Sequence, residues 1–166
     1  DTTPSSGSVG GKVAAASVGI PAWSHDFAGS INLFTVPGVN ETSVGPLPSC
    51  DGAVDGACNT QLIVAAPEHA GVPLVNYAAG ACQGALLNGY ADWYLPAICE
   101  MGPVTSVGCP PGIETMQEKL QTPGHASFTD SWSSTQFSAA PTPLAWIYRF
   151  ASLPGGDAAA MTKNMS

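Results

Sequence analysis

Two short cysteine-bracketed loops constrain this chain more than any other feature of its sequence. Cys50 and Cys58 enclose DGAVDGA, and Cys99 and Cys109 enclose EMGPVTSVG. Each glycine-containing loop is short enough for a disulfide to close, and such closure stabilises by about 2–3 kcal/mol through the unfolded state. A zinc-type site needs close pairs such as Cys-x-x-Cys, and none occurs. Disulfides are therefore favoured over a metal site or free thiols, which places the chain in an oxidising compartment, secreted or at the cell surface. Five cysteines allow other pairings, and in this one Cys82 is left over.

Composition narrows the fold class. With 19 Gly and 15 Pro in 166 residues and only 10% charged side chains, a helical bundle, a coiled coil or a charged disordered tail is disfavoured. Four basic against 12 acidic residues give a net charge of −8, leaving no basic stripe for nucleic acid. An anionic membrane surface or a sulfated polysaccharide is disfavoured on the same ground. No run of 18 apolar residues occurs, so no membrane span is expected. Residues 1–8 read as a flexible tail, and 9–166 as one domain long enough to bury a real core. The polar start lacks the basic and apolar regions of a signal peptide, which for an exported protein suggests a mature or trimmed chain. Asn40-Glu41-Thr42 and Asn164-Met165-Ser166 match the short glycosylation sequon.

Along the chain, Val9–Val18 and Ile31–Val36 read as strands, and 37–57 as a long Pro/Gly-rich loop. Asn59 and Thr60 can cap a helix with Leu62, Ile63 and Ala66 on one face, ended by Pro67. Leu74–Leu87 repeats Val75, Ala78, Ala79, Cys82 and Leu86 at helical steps, with Asn88-Gly89 as its stop. Pro96 opens a short helix through Ile98 to Met101, and Ile113–Leu120 reads as another, with Glu114 and Glu118 near Lys119 on its wet side. Ser131–Thr135 and Ala145–Phe150 read as antiparallel strands joined by a loop over 138–143. The expected class is α+β, a small antiparallel sheet with two to three helices and long disulfide-stapled loops.

Several side chains invite a functional reading. In Gly89, Tyr90, Asp92, Trp93, Leu95 and Pro96 the simplest roles are structural: Gly89 for a tight turn, Asp92 for backbone N–H groups, Trp93 and Leu95 for the core. Ser133, Ser134 and Thr135 lack a nucleophile elbow or a Ser-x-x-Lys arrangement, so strand hydroxyls bonded to backbone are expected and no catalytic residue is assigned. His25, His69 and His125 stand apart and read as solvated loop histidines. Asp51 and Asp55 could supply oxygens to calcium. Such a site wants six to eight oxygens, so solvated turns are favoured and no cofactor is expected. Glu100, Glu114 and Glu118 read as helix surface. Val36, Val39, Val44, Leu47, Val54, Val104 and Val107 lie in segments that are normally polar. They either bury against the sheet or form an exposed patch.

The ordered segments opening at Asn59-Thr60, then Cys82, then Leu87 to Pro96 (LNGYADWYLP), then Trp132-Ser133-Ser134-Thr135 and Ala145-Trp146, resemble the C-terminal domain family of Legionella collagen-like adhesins. The likeness is strongest over 59–166 and loose over 9–58. It implies a C-type-lectin-like fold with a twisted antiparallel sheet, and a secreted or surface adhesion module, often at the end of a stalk and in some members trimeric. It also implies a final strand, often carrying a Cys, beginning where this chain reaches Lys163; that Cys would be the partner for Cys82, which is otherwise free or bridges another chain. The expected function is non-enzymatic binding of a glycan or protein ligand through loops 37–58 and 99–130. The other class of reading is a structural subunit of a surface fibre, pilus or other self-associating assembly. An enzyme of the sulfatase-modifying or oxidase-like kind is disfavoured, because no catalytic Cys pair or metal set can be named.

Overall fold

The computed structural model describes residues 21–24, 33–87, 89–121, 124, 127–140, 144–150 and 156–163. The expected tail over 1–8, the strand over Val9–Val18, His25, His125, Asn88 and the Asn164 sequon lie outside these residues.

Three strands form one antiparallel sheet in the order β1 (Ser131–Gln136), β2 (Leu144–Arg149) and β3 (Asp157–Thr162). Trp, Ile, Tyr and Thr side chains suit β1 and β2 to a pleated surface. Strands β2 and β3 stay in register from Leu144 opposite Thr162 to Arg149 opposite Asp157. Between β1 and β2 the register slips after Trp132 and resumes at Gln136. That irregularity frees the backbone of Ser133–Thr135 for partners outside the sheet.

A third strand, not expected from the sequence, lies before Lys163, at Asp157–Thr162. Its run of Ala158, Ala159 and Ala160 has weak strand propensity and pairs because β2 supplies a complete ladder. Nor is Leu33–Val36 part of the sheet. The Gln136 side chain takes the place of a neighbouring strand, accepting from Val36 N (3.1 Å) and donating to the Phe34 carbonyl (3.3 Å).

Helix α1 spans Gly56–Ala65, earlier than the Asn59 cap expected. Its cap is Asp55, whose Oδ1 accepts Cys58 N at 2.9 Å, and Asn59 and Thr60 instead point inward from the first turns. The expected Leu74–Leu87 helix is broken: a 3-10 turn covers Leu74–Asn76, Tyr77 is extended, and α2 covers only Ala78–Gln83. Ala78 N is drawn to the Ala22 carbonyl (2.9 Å), which opposes a continuous helix, and Gly80 and Gly84 have low helix propensity. Helix α3, Ile98–Met101, stands where Pro96 places it. In place of a helix over 113–120 there is a short π turn, Gln117–Gln121, beside a Lys119–Glu114 ion pair (3.0 Å).

The core divides along β2, whose alternate residues face opposite ways. Ala145 joins Trp23, Phe34, Val36, Val39, Ile63, Tyr77 and Leu95; Trp146 and Tyr148 join Ile98, Met101, Val104, Phe128 and Phe150. His69 belongs inside rather than in solvent. Its ring stacks on Tyr77 (3.8 Å, 14°), and Nδ1–H donates to the Ile63 carbonyl at 2.7 Å. Lys163 is also fully buried, its Nζ donating to the Phe34 carbonyl and lying 4.4 Å from the centre of the Trp23 ring.

Candidate functional site

Both disulfides expected from spacing are present, Cys50–Cys58 and Cys99–Cys109, and Cys82 is a buried free thiol. Burial pushes that thiol up to about 11, so it stays protonated and unreactive near neutral pH.

The two stapled loops pack together. Cys99 N donates to the Ala53 carbonyl (3.0 Å), and Ala53 and Val54 pack on the cluster containing Cys99 and Val104. Beneath them lies Glu100, which is buried rather than on a helix surface. Its Oε2 accepts from Gly56 N and Ala97 N, both at 3.0 Å, and its Oε1 accepts the Tyr94 hydroxyl at 3.1 Å. These bonds compensate the cost of taking a carboxylate out of water.

The slipped segment of β1 anchors the first loop. Thr135 Oγ1 and Asn59 Nδ2 both donate to the Gly52 carbonyl, at 2.7 and 2.8 Å, and Asn59 Nδ2 also reaches Ser134 Oγ at 3.1 Å. Ser133 Oγ donates to the Trp146 carbonyl (3.0 Å), and Ile98 N donates to Thr135 Oγ1 (3.0 Å). Gln136 N donates to Val39 O (3.0 Å), and Trp23 Nε1 donates to Ser133 O (2.8 Å). These buried hydroxyls thus hold backbone, with no general base placed against them by any of these bonds.

From this base the chain rises to an apex at 44–48. Gly38, at φ +82°, turns the chain where a Cβ would stand 2.9 Å from Ser49 Cα, so only glycine fits. Asn40 Oδ1 accepts from Thr42 N (3.0 Å) and Thr42 Oγ1 (2.7 Å), and Gly52 N donates to Ser43 O (3.2 Å). Asp51 Oδ1 braces the apex by accepting Gly45 N at 2.8 Å, and the peptides before Pro46 and Pro48 are both cis. The carboxylates of Asp51 and Asp55 are each committed to backbone N–H groups. Among the described residues no three His, Cys, Asp or Glu side chains gather as a metal site would need.

The apolar loop residues divide between the two fates open to them. Val36, Val39 and Val104 are core, Val54 and Val107 pack against it, and Val44 and Leu47 remain 73% and 65% exposed at the apex. No charged residue lies between Glu41 and Asp51. Glu41 itself is turned inward, accepting from Ser138 N (2.9 Å), Ser138 Oγ (2.5 Å) and Trp146 Nε1 (3.3 Å).

In the Gly89–Pro96 segment, Gly89 adopts φ +84° and Leu95 is core, as expected. Trp93 differs: it is half-buried, its Nε1 donating to Tyr90 O at 3.0 Å. Asp92 is exposed and takes no backbone N–H among the described residues. Trp132 is half-buried against the first cluster, and Trp146 is buried in the second. Sequence reasoning missed the buried role of Glu100, and it named Val44 and Leu47 without separating them from the loop valines that are core. The signal for the apex was the uncharged Val44–Pro48 stretch inside a loop closed by Cys50.

Among the described residues no helix is long and apolar enough to cross a membrane, and the two disulfides are consistent with a secreted protein. Comparison with protein-family models, curated proteins and solved structures finds no match to this chain.

Proposed function

We propose that the chain is a non-enzymatic extracellular binding or adhesion domain of the C-type-lectin-like kind, which engages a protein partner through the Val44–Pro48 apex. The observation that carries this reading is the pair Val44 and Leu47, held out in solvent on a loop fastened by a disulfide and by β1. Exposing two aliphatic side chains on a braced loop has a cost in water that burial against a partner recovers. The uncharged apex favours a protein surface over a sulfated glycan. The test is binding of the purified chain to arrayed extracellular proteins and glycans, with and without calcium. Binding that is lost in a Val44→Asp, Leu47→Asp double variant supports the reading; no binding to any of them overturns it.

A second reading, a subunit of a self-associating surface assembly, is favoured by a further set of exposed aliphatics, Leu74, Val75 and Leu86. Light scattering separates the two. A monomer at high concentration counts against assembly, and a concentration-dependent oligomer supports it.

A further inference from the structure

We propose that the rings of Tyr90 and Trp93 form a recognition corner for a quaternary ammonium group. Leu87 and Tyr90 close a tight turn by two reciprocal backbone bonds, Leu87 N to Tyr90 O (3.1 Å) and Tyr90 N to Leu87 O (3.0 Å). The Trp93 indole is fastened to the same Tyr90 carbonyl at 3.0 Å. The two rings stand 6.4 Å apart and inclined at 83°, with the Trp93 ring held at its nitrogen and Tyr90 56% exposed. Two aromatic rings at right angles offer a cation electron-rich ring surface on two sides, with little ordering needed on binding.

Charge decides the class of ligand. No Lys or Arg occurs anywhere in 13–118, and the chain carries −8 overall, so an anion has no counter-charge here. Asp92, between the two aromatics in sequence, is exposed and makes no hydrogen bond or ion pair among the described residues. An alkylated ammonium suits this corner better than a primary one, because its weak hydration is lost at little cost while its charge is kept. The ligand class is thus a trimethylammonium group, free as choline or carried on a lipid headgroup. This site is separate from the 44–48 apex and does not depend on its role.

The experiment is a titration of the purified chain with choline chloride, against sodium chloride at equal ionic strength, followed by NMR of the tryptophan indole N–H signals. A Trp93→Phe variant assigns the relevant signal. Saturable movement of the Trp93 signal is expected. The uncharged isostere 3,3-dimethyl-1-butanol should bind roughly tenfold more weakly, the scale of a cation–π contact. Tyr90→Leu, at an exposed position that leaves folding intact, should weaken choline binding. Phosphatidylcholine vesicles test the lipid-borne source in a parallel co-sedimentation arm. Binding of free choline, of the vesicles or of both, lost in Tyr90→Leu, supports the site. Equal affinity for choline and its neutral isostere, or no response to either source, overturns it.

Discussion

The carboxylate of Glu100, in α3, accepts the first N–H of α1 at Gly56 across 3.0 Å, joining two helices 44 residues apart in sequence. A helix start buried without such a partner leaves donors unsatisfied. Glu100→Ala should destabilise the fold by about 2–3 kcal/mol, since it orphans Gly56 N and Ala97 N together. Glu100→Gln, whose amide oxygen still accepts, should cost less. Urea denaturation of the two variants checks this order, and equal losses would contradict it.

Thiol chemistry follows from the cysteine arrangement. The native chain should resist alkylation, and the unfolded, unreduced chain should take up one label, at Cys82. Intact mass under non-reducing conditions reads the count, and three or more labels would refute the pairing. Reducing either staple should lower stability by about 2–3 kcal/mol.

Burial of Lys163 gives stability a pH dependence of definite sign. Loss of hydration lowers its pKa from 10.5 to about 7, so between pH 7 and 9 the unfolded chain holds a proton that the folded chain has released. Stability should rise with pH across that window and be least below pH 7, where both states are protonated. Above pH 9 the trend is opposed. Cys82 and Tyr148 are held up to about 11 and about 12, chiefly by burial, so the unfolded chain loses those protons first. Lys163→Met should flatten the rise between pH 7 and 9 in urea midpoints, and an unchanged slope would refute the assignment.

Tyr148 lies in a slot between two glycines. A Cβ on Gly102 or Gly156 would run into its ring, and its hydroxyl donates to Gln117 Oε1 at 2.5 Å. Gly102→Ala should cost about 1–3 kcal/mol by overpacking. Tyr148→Phe keeps the ring and loses the hydroxyl's bond to Gln117, about 1 kcal/mol. Thermal unfolding of the pair ranks them.

At the apex the expectation is the reverse. Leu47→Asp should change stability by no more than about 0.5 kcal/mol, as exposed substitutions do, while removing partner binding. A large loss of stability would show that Leu47 is structural.

How much of this was legible in the sequence depends on the range of the interaction. The two staples were readable because their loops are local, and β1 and β2 because Trp132, Ile147 and Tyr148 belong to strands by propensity. Strand β3 was not, since an alanine run carries no period-two signal and pairs only because β2 lies beside it. The long helix over 74–87 failed for a related reason: the Ala22 carbonyl, more than fifty residues upstream, captures Ala78 N. Glu100 and His69 looked like surface residues because their partners at Gly56, Tyr77 and Phe34 are brought to them only by the fold. The aromatic corner was half legible. The residues were singled out, yet Trp93 was assigned to the core because local pattern cannot show that Leu95 alone turns inward.

The bonds from Asn59, Thr135 and Gln136 to loop backbone fix where the first loop leaves the sheet, whatever side chains its apex carries. Directional bonds to peptide groups are indifferent to sequence. The stretch from Ser43 to Ser49 can therefore be rewritten for a new target while Val39, Cys50 and Gly52 keep their places, which makes the chain a ready scaffold for selecting binders from randomised loop libraries.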